Sequence, residues 1–512
     1  MFVRKNRNRS GSVSVQIISK LRGKYSIVRT LGFSRDPDEI IHLVEQAKDE
    51  IRDPKQQGKL FSLISHDTVV VENFLRTLKN ASVRTVGPEL IFGNLFDRMG
   101  FNTVPGDLFR HITIARLAYP TSKLKTVDYL YRYKGVTLSV DTVYRFLDTL
   151  QKEYKRRVEK IAYEHTKQTL GGMISVVFYD MTTLYFEAED EDDLRKIGFS
   201  KDGKFQCPQI MLGLLVGTGG LPIGYDIFEG NTFEGHTLLP TLQKIQKKYG
   251  FGKPTVVADA ALLSKKNLEN LGSAKYRFII GARIKNETDA VMAAILEQSK
   301  GIQNNSSFTI KKKDGARLIV TYTDKRARKD AHNRERGLRK LRLQVKSGRL
   351  TKEHINNRGY NKFLTLTGDV AVAIDEEKIE ADKRWDGLKG YITNTRFTPK
   401  AVVEQYGHLW QIEKAFRISK TDLRMRPIFH YRKRRIEAHI CICFVAYAIY
   451  KELERLLQKQ GTRVSVKRAS ELTHTMYELT CTLPGAVSPT KILLQMDNEQ
   501  QVLYEIIHNV DV

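Results

Sequence analysis

Only four cysteines occur in 512 residues (Cys207, Cys441, Cys443 and Cys481), and no two of them form a CxxC pair. Neither a secretory disulfide framework nor a cysteine zinc site is expected, and the thiols read as reduced side chains of a cytosolic protein. Long apolar runs are also missing. The longest, Ile440 to Tyr450, is about half of the roughly 20 residues that cross a bilayer, so it is expected to be a buried helix, with no membrane partner. The basic opening, Met1 to Ser10, is followed by no apolar stretch of signal-peptide length. Acidic residues are scarce beside basic ones: 58 Asp and Glu against 85 Lys and Arg leave a formal charge of +27. That surplus calls for a polyanionic partner, although charge alone decides neither fold nor DNA against RNA.

What is present changes character along the chain. Residues 12–31 alternate loosely around Arg22-Gly23, which predicts a hairpin. Helical periodicity follows, with Ile40, Ile41, Val44, Ala47 and Ile51 within 36–53 and further helices near 87–100 and 106–118. Residues 126–134, a break at Gly135 and residues 139–150 have the layout of a helix-turn-helix in which Ser139 caps the second helix. Thr142, Tyr144 and Arg145 would then reach a DNA groove; an ordinary helical hairpin is the equal alternative.

From residue 173 the pattern is that of strands. Runs at 173–187, 209–216 and 221–229 precede a helix at 236–249, a strand ending at Asp259, a helix at 264–271 and a strand at 276–280. This order predicts an α/β, ribonuclease H-like catalytic core. A stretch from 282 to 389 interrupts it, read as a β-rich insertion with a basic helical arm at 325–349, whose concentrated positive charge suits phosphate. The chain thus divides into a mostly α-helical N-terminal DNA-binding region (1–168), the first part of the core (169–281), the insertion (282–389), the last part of the core (390–460) and a C-terminal tail (461–512).

Three carboxylates stand out. Asp180 ends the apolar run 173–179, Asp259 ends Thr255-Val-Val-Ala258, and Glu413 lies in the helix-like segment 406–417. Carboxylate oxygens suit hard divalent cations, which keep positions open for phosphate and water. On one continuous helix, Tyr406, Trp410, Glu413, Arg417 and Lys420 would share a face, with Leu409, Ile412 and Phe416 as the neighbouring apolar stripe.

Phe178-Tyr-Asp-Met-Thr-Thr183, Val257-Ala-Asp-Ala260 and Tyr406-x2-Leu409-x3-Glu413-x6-Lys420 together resemble the DDE transposases of bacterial insertion sequences, in particular the Insertion Sequence Four family with its Tyr-x2-Arg-x3-Glu-x6-Lys signature. The likeness covers most of 170–450. Leu409 stands where the signature has arginine, with Arg417, His408 and Lys414 as candidate substitutes. The resemblance implies that Asp180, Asp259 and Glu413 bind two Mg²⁺ or Mn²⁺ ions, and that Tyr406 and Lys420 contact DNA near the cut. It also implies that Trp385 and Trp410, the only two tryptophans, help hold a base flipped out near the element end. The implied activity is binding of the element's terminal inverted repeats, cleavage, and joining of 3′ ends to target DNA by a homodimer in the bacterial cytoplasm, at the nucleoid. A metal-dependent nuclease that does not join ends, and a catalytically inactive DNA-binding derivative, share these features.

Overall fold

A computed structural model describes the chain except for residues 22, 53–65, 263, 349, 351, 357, 368–370 and 510–512. It forms two units, one of residues 1–84 with 477–494 and one of residues 85–476 with 495–512. In the first, strands Phe2–Arg7, Val13–Leu21 and Lys24–Ser34 make an antiparallel sheet. Gly23, at φ +84°, sits in the turn of the expected hairpin; Arg22 lies outside the described residues. Helix Pro37–Arg52 opens with Pro37 and the acids Asp38 and Glu39, which favour a helix N-terminus. Its Ala47, with Ile40 and Val44, packs on Val15 and Ile17. Strands Tyr477–Cys481 and Thr490–Leu493 of the expected tail pair antiparallel in this unit.

The second unit is built on an eight-stranded sheet. Its strands in chain order are β1 (Val176–Tyr185), β2 (Gln209–Val216), β3 (Pro222–Glu229), β4 (Thr255–Ala258), β5 (Arg277–Ala282), β6 (Ser307–Lys311), β7 (Arg317–Tyr322) and β8 (Leu388–Thr393). Across the sheet the order is β6-β7-β8-β5-β4-β1-β2-β3, with β1, β4 and β5 parallel and the remaining pairs antiparallel. Both faces are covered, so the central strands are apolar throughout, as Gln209–Val216 shows in being buried at every position. Alternation assigns the faces. Val177, Tyr179, Met181, Val256, Ala258, Ile280 and Ile392 enter one core, under helix Leu238–Tyr249. Phe178, Leu184, Val257, Ile279 and Tyr391 enter the other, larger core.

All but one of the following helices fill that larger core: α1 (Asp107–Ala118), α2 (Lys123–Tyr129), α3 (Val140–Thr149), α4 (Lys155–Thr169), and later α5 (Asp324–Lys346), α6 (Pro399–Gly407), α7 (Trp410–Arg417) and α8 (Lys433–Lys459). Of these, α5 lies within the insertion and outside the core. The apolar run 440–450 is the middle of α8 and is buried on all sides up to Ile449, with Tyr450 half-buried, which explains its composition. Among the described residues no helix is long and apolar enough to cross a membrane.

Glu89 organises the start of this unit. It accepts from Arg110 Nε at 2.8 Å and faces Lys134 at 3.4 Å. Burial pushes its carboxyl up, but His111, Lys134 and Arg110 outweigh that and hold it down at about 2. A lowered folded pKa contributes stability that is present above the ordinary value of 4.5 and lost as pH falls towards 2. Glu89→Gln is therefore expected to lower stability near neutral pH by roughly 2 kcal/mol and to flatten the acid limb of a urea-melt series over that window.

Two sequence expectations need correction. The insertion is not a β-rich subdomain: β6 and β7 extend the main sheet beside β8, and its longest element is the 23-residue α5. Pairing partners far along the chain, not local propensity, decide which sheet a strand joins. Nor do residues 406–420 form one helix. α6 ends at Gly407, Leu409 precedes a new start at Trp410, and a wide π-type turn, Ile418–Asp422, follows α7. Tyr406 and Glu413 belong to different helices.

Candidate active site

Asp180 lies within β1 on the same face as Phe178 and Leu184, and Asp259 immediately follows β4. The parallel register pairs Tyr179 with Ala258, so the two aspartates stand side by side. The row continues through Gly281, since Ala258 pairs with Ile280, and then Tyr391, which pairs with Gly281. Backbone N–H groups of Met181 and Ala260 donate to Asp180 Oδ1 and Asp259 Oδ1, each at 2.7 Å.

Tyr406, at the end of α6, closes over this row. Its hydroxyl donates to Asp259 Oδ1 at 3.1 Å, and its ring meets Tyr391 edge-on at 4.8 Å. Gly281 makes room for it, because a Cβ there would lie 2.5 Å from the tyrosine oxygen. Burial, then the charge of Asp259, pushes the Tyr406 hydroxyl up, so it stays protonated and donates. Tyr406→Phe removes a hydrogen bond to a charged group, and Gly281→Val displaces the same hydroxyl sterically. Each is expected to lower stability in denaturant melts, Tyr406→Phe by about 1–3 kcal/mol.

Glu413 projects from α7, whose Ile412, Ala415 and Phe416 are buried in the core on this face of the sheet. The glutamate itself is exposed. Its charge, with that of Asp259, acts on both the Tyr406 hydroxyl and the Lys389 ammonium. Burial pushes the Asp180 carboxyl up to about 6; Lys201 and the Met181 N–H oppose this, while Glu234 and Asp259 add to it. Lys201 bridges Glu234 at 2.6 Å and Asp180 at 3.9 Å.

This all-oxygen set, with the half-buried Asp180 beside like charges, suits a hard divalent cation that would relieve their repulsion. Among the described residues, however, no three such ligands converge closely enough to hold a metal, and Glu413 does not close the set formed by the aspartates.

The other expected site residues fall in several places. Lys420 is mostly buried and paired with Asp202 at 3.2 Å, which Arg426 also reaches at 2.9 Å. Leu409 is buried in the core, so it occupies no phosphate-contacting position. Trp410 is 52% exposed, with Lys414 Nζ 5.8 Å from its ring; Lys414 is tied to Glu454. Arg417 is exposed and His408 half-buried. Trp385 packs beside Ile284, Leu318 and Leu388 and lines a cavity of about 620 Å³ with Lys285, Arg326, Lys362 and Lys389.

Arg145 is exposed on α3, which Ser139 caps through the Thr142 N–H at 3.1 Å. Tyr144 is turned inward against His430 and Arg435, so the expectation that it reaches a groove is corrected. Lys201, Glu234, Gly281 and Lys389 were not foreseen. Strand alternation could have found Lys389, two residues before Tyr391 and on its face.

The sheet and its row of carboxylates define a mixed α/β domain built to place acids at one site on a sheet face. The chain matches the family model described as Transposase DDE domain over residues 171–449, more than half its length, and belongs to that family. No curated protein matches it. Among solved structures it is similar to the piggyBac transposase synaptic complex with hairpin DNA, at 9% identity and a TM-score of 0.38 over 76% of each chain. It is also similar to the Mos1 transposase paired-end complex with left transposon end, at 11% identity and a TM-score of 0.16 over 34% of this chain and 59% of that one.

Proposed function

We propose that this protein is the transposase of a bacterial insertion sequence of the Insertion Sequence Four type, with a ribonuclease H-like core. It binds the terminal inverted repeats as a homodimer, cleaves the DNA and joins the 3′ ends to target DNA. The observation that carries this reading is the pair Asp180 and Asp259, side by side on parallel strands beneath Tyr406, with the Glu413 helix packed on the same face. Asp180, Asp259 and Glu413 would hold two Mg²⁺ or Mn²⁺ ions, which when bound supply charge stabilisation for phosphoryl transfer and an activated attacking oxygen. Tyr406 orients Asp259, Lys201 balances Asp180 against Glu234, and Lys389 adds positive charge where a scissile phosphate would lie. Trp385 and its cavity, lined by Asp330, Asp382 and Asp386 as well as by cations, adjoin the site through Lys389, which supports a role for that tryptophan in holding an unpaired base.

One other reading has support. The buried Leu409 and the unclosed carboxylate set favour a catalytically inactive, DNA-binding derivative. The deciding experiment incubates the full chain with labelled DNA carrying the repeats that flank its gene, plus a target plasmid, in Mg²⁺ or EDTA. Metal-dependent cleavage at the repeat boundary with joined products supports the transposase. Cleavage without joining leaves a nuclease, and binding without cleavage in Mg²⁺ or Mn²⁺ leaves the inactive derivative.

Helix α5 carries ten Lys and Arg against three acids, and Lys325, Arg328, Lys329, Arg336 and Arg339 are exposed. Changing these five to Gln is expected to weaken duplex binding irrespective of sequence. The slope of log K against log salt should fall by about 0.9 for each residue that meets a phosphate. Binding titrations at several salt concentrations measure it.

A further inference from the structure

Away from the carboxylates, the buried polar atoms of the described residues that lack a hydrogen-bond partner include Nε of Arg116 on α1, Nζ of Lys123 at the start of α2, and Nδ1 of His439 on α8. The residues are 5%, 4% and 5% exposed. They form one cluster. The charges of Arg116 and Lys123 act on each other and on His430 and His439, and the two histidine rings lie 5.5 Å apart. His439 Nε2 donates to the Met425 carbonyl at 2.9 Å, which leaves Nδ1 as an open acceptor. Cys443 Sγ lies 3.8 Å from the same ring, and burial pushes its thiol up, so it brings no negative charge. Arg424 adds a further cation. An acid that faces the cluster, Asp148, acts on His430 and is already held by Arg434 at 2.9 Å and Arg435 at 3.0 Å. Among the described residues, the charges that act on Arg116 and Lys123 include no carboxylate.

A buried cation without a counter-charge costs several kcal/mol. Lysine can escape by losing its proton, and burial does push Lys123 down to about 7; a guanidinium cannot. We propose that Arg116, Lys123 and His439 form a binding site for a phosphate ion. Its oxygens accept from the guanidinium and the ammonium, and its remaining P–OH donates to the bare Nδ1 of His439. That proton separates phosphate from chloride and from sulfate, which at neutral pH has none. A DNA backbone phosphodiester offers the same oxygens without the proton, and the burial of all three residues favours the free ion. Occupancy would tie the Arg424–His430 segment, which follows the Glu413 helix, to α1, α2 and α8.

The test uses the full chain in phosphate-free buffer. Thermal unfolding is expected to show a saturable rise of about 2–5 °C with sodium phosphate, and a smaller one or none with sodium chloride or sulfate at matched ionic strength. Arg116→Met and Lys123→Met should each remove the response while leaving the phosphate-free midpoint equal or higher, because an uncompensated charge is gone. A response that persists with saturating duplex assigns the free ion, and one that duplex abolishes assigns a backbone phosphate to the same residues. Equilibrium dialysis of the unaltered chain with radiolabelled phosphate, independent of how the variants fold, should approach one ion per chain. Equal responses to all three salts, wild-type responses in both variants, or no bound phosphate at millimolar concentration would overturn the proposal.

Discussion

Asp180→Asn and Asp259→Asn are each expected to reduce DNA cleavage by about 10³-fold or more while leaving binding to the element ends within a few-fold of wild type. Both substitutions keep size and shape, so the packing of β1 and β4 is preserved and the lost quantity is the charge. The two positions should differ in stability. The Asp180 carboxyl is pushed up to about 6 by burial, with Glu234 and Asp259 adding to the effect. A raised folded pKa means that the ionised form opposes folding above the ordinary aspartate range. A neutral amide at this position removes that opposition, so thermal unfolding at neutral pH should show a gain on the order of 1 kcal/mol for Asp180→Asn. Asp259 is exposed and linked to the Tyr406 hydroxyl, and Asp259→Asn should bring no gain. A stabilised, inactive Asp180→Asn that still binds DNA would separate chemistry from folding. A cleavage-competent one would remove Asp180 from the site.

The largest stability loss is expected at Arg334. This side chain of α5 is 6% exposed and makes two parallel hydrogen bonds to Asp386, at 2.6 Å each, with Asp382 3.7 Å away. Its surroundings are apolar on one side: Leu338 and Leu341 of the same helix pack on Phe363, Leu364 and Ile379. Arg334→Ala leaves Asp386 partly buried with its bidentate partner gone, whereas Asp382 keeps Lys285 and Lys362. Removal of one partner of a buried pair costs about 3 kcal/mol or more. The double change Arg334→Leu with Asp386→Asn should recover much of that, because no unpaired charge remains. Denaturant melts of the three proteins measure both effects. Asp386 follows Trp385, so the single variant should also loosen the turn that holds the tryptophan against its cavity.

Much of the site was legible because strand physics is local. An apolar run that stops at an acid, as at 173–180 and 255–259, predicts a buried strand with a carboxylate at its end; Asp259 follows β4 in this way, Asp180 lies mid-strand because β1 runs on to Tyr185, and the register of β1 and β4 brings both acids into one row. Ser139 as a cap and Pro37–Arg52 as a helix were legible for the same reason. The break between Tyr406 and Trp410 was not, because Leu409, Ile412 and Phe416 keep a helical spacing across it and all are buried. Periodicity records which residues face the core, and both helices face the same core. Lys201 and Glu234 were illegible because each comes from a connection between core elements, and only tertiary structure brings them to Asp180. The pairing of β6 and β7 with the main sheet, and the grouping of residues 477–494 with the first 84, likewise depend on long-range contacts.

The measurement that bears most directly on the central claim is a crystal structure of the full chain with an element-end duplex and Mn²⁺, using the anomalous scattering of manganese to locate the metal. The account predicts manganese between the Asp180 and Asp259 carboxylates, with Glu413 moved in to complete the set and the scissile phosphate beside Lys389. Duplex bound at this face with manganese absent from both aspartates, or held by other residues, would contradict it.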